Sequence, residues 1–171
     1  MKPIILIGYM GSGKSAIGRA LSADLKLPFF DTDEMIESSE GISINEIFAT
    51  KGEEYFRNLE TSLLEDLVKK SKEDIILSTG GGMPIRKENA ELLNRLGMVF
   101  YLNAKPETIY ERVKHDTTRP LLKCENPKEK IDSMIKERGP KYEACAYFKI
   151  SVDEKSILDI VGEIKNEITS Y

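Results

Sequence analysis

Ile4-Ile5-Leu6-Ile7-Gly8-Tyr9-Met10-Gly11-Ser12-Gly13-Lys14-Ser15 is the stretch that decides how this chain folds. Its first four residues are all apolar and read as a buried first strand. The next eight match G-x-x-x-x-G-K-[ST] in full, and an amphipathic pattern (Ile17, Ala20, Leu21, Leu25) follows. Strand, glycine-rich turn and helix in that order make a phosphate cradle. The glycines let successive backbone N–H groups point at phosphate oxygens, and the helix adds its positive N-terminal end. Lys14 can bridge β- and γ-phosphates, and the Ser15 hydroxyl can ligate Mg²⁺. The alternative, a turn that merely happens to contain Lys-Ser, does not account for both flanking elements. The loop specifies a nucleotide but no particular reaction.

Working outward, short apolar runs alternate with longer amphipathic segments, the pattern of an α/β fold with a parallel sheet. Strands are expected at Ile4–Ile7, Pro28–Phe30, Ile75–Ser78, Val99–Leu102 and Phe148–Val152. Helices are expected at Lys14–Leu25, Ser43–Lys51, Glu53–Lys70, Lys87–Arg95, Glu107–Val113, Lys128–Glu137 and Ser156–Ser170. Ser43-Ile44-Asn45-Glu46 reads as a capping box. Pro106 sits where a first helical residue tolerates proline. With 171 residues, no repeat and no long linker, the chain fits one domain. Two stretches stand apart: an insertion of two helices at about 36–60, and polar residues 115–126, which carry an arginine and read as a lid.

Composition narrows the function. A net charge of -4 argues against a nucleic-acid binder, which needs a basic excess, but leaves room for one small anionic ligand. No apolar run approaches the roughly 20 residues that span a bilayer. The apolar N-terminus is too short for a signal peptide and runs straight into the glycine loop. Cys124 and Cys145 are too few to staple a chain of this size, so a reducing, cytoplasmic setting is expected.

Acidic and basic groups recur where strands end, which is where ligands bind in such sheets. Asp31-Thr32-Asp33 closes the second strand, and strand alternation would point both carboxylates to one side. One could serve Mg²⁺ and the other an acceptor hydroxyl, taking its proton. The competing reading is an Asp-rich turn that caps a helix from Glu34. Ser78-Thr79-Gly80-Gly81-Gly82 ends the third strand and offers bare backbone to a ligand. No acidic residue occurs there, so metal assistance falls to Asp31. Arg57, Arg119 and Arg138 flank the cleft; an arginine fork suits a carboxylate or phosphate, although each could be a solvated surface charge.

In order along the chain, these residues resemble the shikimate kinase family. The likeness runs through G-x-M-G-x-G-K-S at Gly8–Ser15, D-x-D at Asp31–Asp33, G-x-S-I-x-E-I-F at Gly41–Phe48 and G-E-x-x-F-R-x-x-E at Gly52–Glu60. It continues through T-G-G-G at Thr79–Gly82, R-P-L-L at Arg119–Leu122 and R-x-x-x-Y at Arg138–Tyr142. The resemblance implies a three-layer α/β/α P-loop fold with a five-stranded parallel sheet in the order 2-3-1-4-5. It implies phosphorylation of the shikimate 3-hydroxyl by ATP with Mg²⁺, by a monomer, in aromatic amino-acid biosynthesis. Asp33 would hold the acceptor hydroxyl and act as base. Arg57 and Arg138 would hold the carboxylate, with Gly80, Gly81 and Glu60 completing the pocket. Gly11, Ser12, Gly13, Lys14, Ser15 and Ala16 would bind the nucleotide, Arg112 would lie near adenine, and Arg119 would reach the transferring phosphate from the lid at 113–126. Ser15 and Asp31 would serve the metal. Met83 and the lid residues 115–118 depart from the family's pattern.

Overall fold

The computed structural model describes residues 2–70, 73–116 and 123–171. All four side chains of β1 (Ile4–Ile7) are buried. A strand that is apolar at every position can sit only at the centre of a sheet covered on both faces. β1 accordingly pairs in parallel with β3 (Ile76–Ser78) on one side and β4 (Met98–Asn103) on the other. β2 (Phe29–Asp31) and β5 (Phe148–Ser151) form the edges, giving the order β2-β3-β1-β4-β5. The family's five-stranded order is the one found. Parallel neighbours need crossovers, and the helices supply them: α1 (Lys14–Leu25), α2 (Thr32–Glu40), α3 (Ile44–Lys51), α4 (Glu53–Lys70), α5 (Lys87–Leu96), α6 (Pro106–Val113), α7 (Pro127–Cys145) and α8 (Ile157–Ser170). Helices α1 and α8 pack together, as do α4 with α5 and α5 with α7. No helix among the described residues is long and apolar enough to cross a membrane.

Three differences from the sequence reading have physical causes. Pro28 lends its carbonyl to Ile76 N–H at 2.9 Å but has no N–H of its own, so β2 starts one residue late and reaches Asp31. Helix α2 then begins at once, which makes three helices between β2 and β3 and puts Asp33 in a helix, not a strand. Strand alternation therefore does not relate Asp31 to Asp33. Helix α7 does not stop at Glu137: it runs through Gly139-Pro140 to Cys145. An interior proline costs about 3 kcal/mol, but stopping there would unseat Tyr142 and Cys145, both buried in the main core.

The capping box is present in full, with Ser43 and Glu46 exchanging side-chain and backbone bonds at the start of α3. The helices after β2 carry a small core of their own, Ile36, Ile47 and Phe56. Farther along α4, Leu64 joins the main core. That double anchorage holds the middle of α4, with Arg57 and Glu60, above the sheet's carboxyl edge.

Candidate functional site

The phosphate loop crosses from β1 to α1 with Gly13 at φ 94°, a left-handed conformation that glycine adopts without strain, just before the first helical residue. Lys14 is nearly buried, and its Nζ donates to the carbonyls of Gly8 (2.8 Å) and Tyr9 (3.0 Å). The lysine is thus folded over its own loop, its charge at the centre of the cradle. Ser12 Oγ is buried in the same loop without a hydrogen-bond partner among the described residues. Arg112, exposed on α6, donates to Gly11 carbonyl at 3.0 Å, which places it at the loop's outer rim. Ala16 follows in the first turn of α1, open to solvent.

Asp31 serves two purposes through its two oxygens. Oδ1 accepts from Asp33 N–H at 3.0 Å and caps α2, while Oδ2 accepts from the Ser15 hydroxyl at 2.9 Å. The capping reading of this aspartate holds, and its second oxygen lies beside Ser15, where the metal reading would need it. A hydroxyl and one carboxylate oxygen beside a phosphate cradle suit Mg²⁺, which keeps several waters and takes one or two carboxylates plus substrate phosphates. Among the described residues there is no cluster of three or more metal-ligating side chains that would form a self-sufficient cage.

Asp33, on the first turn of α2, points the other way. Its Oδ1 and the Oε1 of Glu60 are both buried and have no hydrogen-bond partner among the described residues. They converge on one point: a Cβ added to Gly80 would lie 2.6 Å from Asp33 Oδ1 and 3.3 Å from Glu60 Oε1. Only glycine leaves that space open. Burial first, then the Asp31 charge, pushes the Asp33 carboxyl up to about 6, with Lys14 pulling against them. Burial likewise raises Glu60 to about 7, against the pull of Arg57.

Glu60 has no exposed surface and accepts from Arg57 Nη1 at 2.8 Å. The short ion pair favours a charged Glu60 and burial favours a neutral one; burial wins, although Arg57 and, less strongly, Arg86 pull against it. A carboxyl held above its ordinary value of 4.5 contributes most to stability at low pH and loses that contribution as pH rises through about 7. Thermal stability of the wild type is therefore expected to fall between about pH 5 and about pH 8, and Glu60→Gln to flatten the fall. Parallel melting profiles for the two proteins would show that Glu60 stays ionised throughout.

The glycine stretch is held from two sides. Gly80 N–H donates to the fully buried Thr32 hydroxyl at 2.9 Å, so it is already engaged. Tyr142, also buried, donates its hydroxyl to Gly81 carbonyl at 2.6 Å. Arg138 lies one turn before Tyr142 on α7, its charge acting on that hydroxyl, and its guanidinium sits 5.9 Å from the centre of the Tyr9 ring. Neither Thr32 nor Tyr142 stood out in the sequence as a site residue. Thr32 lies between two aspartates that drew the attention, whereas Tyr142 ends the R-x-x-x-Y motif with no role implied for it, although the spacing of four puts it on one helix face with Arg138.

Gly11, Gly13–Ala16, Asp31, Asp33 and Ser78–Gly81 line a single cleft of about 280 Å³. A larger hollow of about 390 Å³ lies between α6 and α7, but Glu107, Glu111, Glu129 and Asp132 line it, and such a wall repels phosphate. The smaller cleft is the candidate site. Of the sequence candidates, only Arg119 is not placed: it lies outside the described residues. His115 is exposed, as expected of a loop residue.

The sequence signature of the family described as "Shikimate kinase" matches residues 10–169. A "Shikimate kinase" of Thioalkalivibrio sulfidiphilus is 44% identical over 161 residues, covering 94% of this chain and 84% of the relative. One from Sulfurihydrogenibium sp. is 42% identical over 168 residues, covering 98% of each. The solved shikimate kinase of Acinetobacter baumannii, in complex with shikimate, superimposes with a TM-score of 0.93 at 36% identity, over 99% of this chain and 94% of that one. A gluconokinase of Sinorhizobium meliloti shares the fold alone, with a TM-score of 0.58 at 19% identity.

Proposed function

Since the chain belongs to the shikimate kinase family, we propose that it transfers the γ-phosphoryl group of ATP to the 3-hydroxyl of shikimate, giving shikimate 3-phosphate and ADP in aromatic amino-acid biosynthesis. The observation that carries the reading is the convergence of Asp33 Oδ1 and Glu60 Oε1 on Gly80, beside the phosphate cradle. Two buried carboxylate oxygens without partners among the described residues are costly unless a ligand hydroxyl completes them. Shikimate bears three hydroxyls and one carboxylate, and the site offers acceptors and cations to match.

Asp33 orients the 3-hydroxyl and takes its proton as the oxygen attacks the γ-phosphorus. Its raised pKa makes it a better base than an ordinary aspartate while leaving it mostly ionised at neutral pH. Arg57 and Arg138 bind the shikimate carboxylate. Glu60 and the glycine stretch receive the remaining hydroxyls, with Gly81 as the backbone donor because Gly80 N–H is already engaged by Thr32. The nucleotide occupies Gly11–Ala16, and Lys14 leaves its two loop carbonyls for the β- and γ-phosphates. Arg112 lines the adenine side, and Arg119 stabilises charge on the transferring phosphoryl. Mg²⁺, held by Ser15 and through water by Asp31, would neutralise phosphate charge when bound.

The proposal extends to organisation: one domain, an acceptor-binding insertion at about 34–60, a lid at about 113–126, and a cytoplasmic monomer. An assay of ADP release with each acceptor tests the central claim. Turnover is expected with shikimate and not with gluconate; the reverse would overturn the assignment.

A further inference from the structure

The Arg57 guanidinium rests on the glycine stretch itself: a Cβ added to Gly82 would lie 2.5 Å from both Nη1 and Nη2. The spacing between α4 and residues 80–83 therefore sets where the arginine fork points. A buried polar chain spans that spacing. Arg86 Nη1 donates to Thr61 Oγ1 at 3.2 Å, Thr61 donates to Asn89 Oδ1 at 2.7 Å, and Asn89 Nδ2 donates to Met83 carbonyl at 3.0 Å. Asn89 has no exposed surface and Thr61 has 8%. The guanidinium can only donate and the Met83 carbonyl can only accept, while the single Thr61 hydrogen lies between Asn89 Oδ1 at 2.7 Å and the Arg57 carbonyl at 3.1 Å, the shorter contact being the one to Asn89. Arg86 Nη1 also donates to the Arg57 carbonyl at 3.3 Å, which ties the backbone of the clamp residue into the same chain.

We propose that Thr61 and Asn89, with Arg86 at the open end, are positioning residues: they lock α4 to the glycine stretch so that the Arg57–Glu60 pair stands at the right distance from the acceptor. None of them touches the substrate. A buried network that joins Thr61, Asn89 and the Met83 and Arg57 carbonyls resists displacement, whereas apolar packing alone would let α4 slide by fractions of an ångström. The proposal rests on the reading of Arg57 as the holder of the acceptor carboxylate.

Thr61→Val keeps the side-chain shape and removes the hydroxyl. Its KM for shikimate is expected to rise about tenfold, with KM for ATP within about twofold of wild type. Thr61→Ser restores the hydroxyl and should return KM for shikimate to within about twofold of wild type. Asn89→Asp, which loses the donor to Met83, should resemble Thr61→Val. Amide exchange at residues 82–86 is expected to quicken in both damaged variants. A merely structural role predicts lower apparent kcat with both KM values unchanged, and that result overturns the proposal, as does a Thr61→Ser variant no better than Thr61→Val. If the wild type fails to turn over shikimate, the substrate assignment falls and the lock stands or falls on amide exchange alone.

Discussion

Asp33→Asn should bind ATP as the wild type does and lose about 10²–10⁴ in turnover. The substitution is nearly isosteric at a position on the first turn of α2, where the Asp31 cap and the Asp33 backbone N–H stay in place. What disappears is the carboxylate proposed to take the acceptor proton. Asparagine can still accept a hydrogen bond from the 3-hydroxyl, so KM for shikimate should change far less than kcat. The variant is also expected to be no less stable than the wild type. Burial and the Asp31 charge oppose ionisation of Asp33, and a neutral amide is free of both penalties. Steady-state kinetics and a melting curve on the same preparation test both statements. A kcat within about threefold of wild type would remove Asp33 from proton transfer and leave it an orienting role only.

Arg57→Ala is expected to act twice. Loss of one charge-assisted contact should weaken shikimate binding by about 1.5–3 kcal/mol, read as a higher KM with ATP affinity unchanged. It also strips Glu60 of its ion-pair partner while that carboxylate has no exposed surface. Removing one member of a buried pair typically costs about 3–5 kcal/mol of stability. The two effects separate by pH. Glu60 is already held up at about 7 with the arginine present, and without it the carboxyl is more reluctant still to ionise. Protonation therefore relieves the buried charge, so the stability deficit should be large near about pH 8 and much smaller near about pH 5.5. Arg57→Ala combined with Glu60→Gln should recover stability without recovering shikimate affinity. A pH-independent deficit would mean that the loss comes from packing on Phe56, whose ring centre lies 5.3 Å from the guanidinium.

Local pattern alone disclosed most of the framework. Ile4–Ile7 and Lys14–Leu25 are bounded in the structure as their residues suggested, because a wholly apolar run and a Gly-Lys-Ser helix start are signals complete within a few residues. The capping box at Ser43 was legible for the same reason. Misreadings fell where distant packing outweighed a local cue. Gly139-Pro140 reads as a helix end, yet α7 continues because Tyr142 and Cys145 fill the core. Asp33 reads first as a strand residue, but the competing reading of an Asp-rich turn capping a helix from Glu34 comes nearer: the helix starts at Thr32 with Asp31 as its cap.

The sequence by itself determined the phosphate loop, the fold class and, through motifs read in order, the candidates for binding the acceptor. Those are matters of residue type at fixed spacing, which short-range geometry converts directly into structure. Only the tertiary structure decided which atoms of those residues are available. It commits Gly80 N–H to Thr32, divides Asp31 between a helix cap and Ser15, and leaves one oxygen each of Asp33 and Glu60 buried without a partner among the described residues. Hydrogen-bond capacity is limited and is shared among residues far apart in the chain, 48 positions between Thr32 and Gly80 and 101 between Gly11 and Arg112. No local reading of the chain can allocate it until folding has brought those residues together.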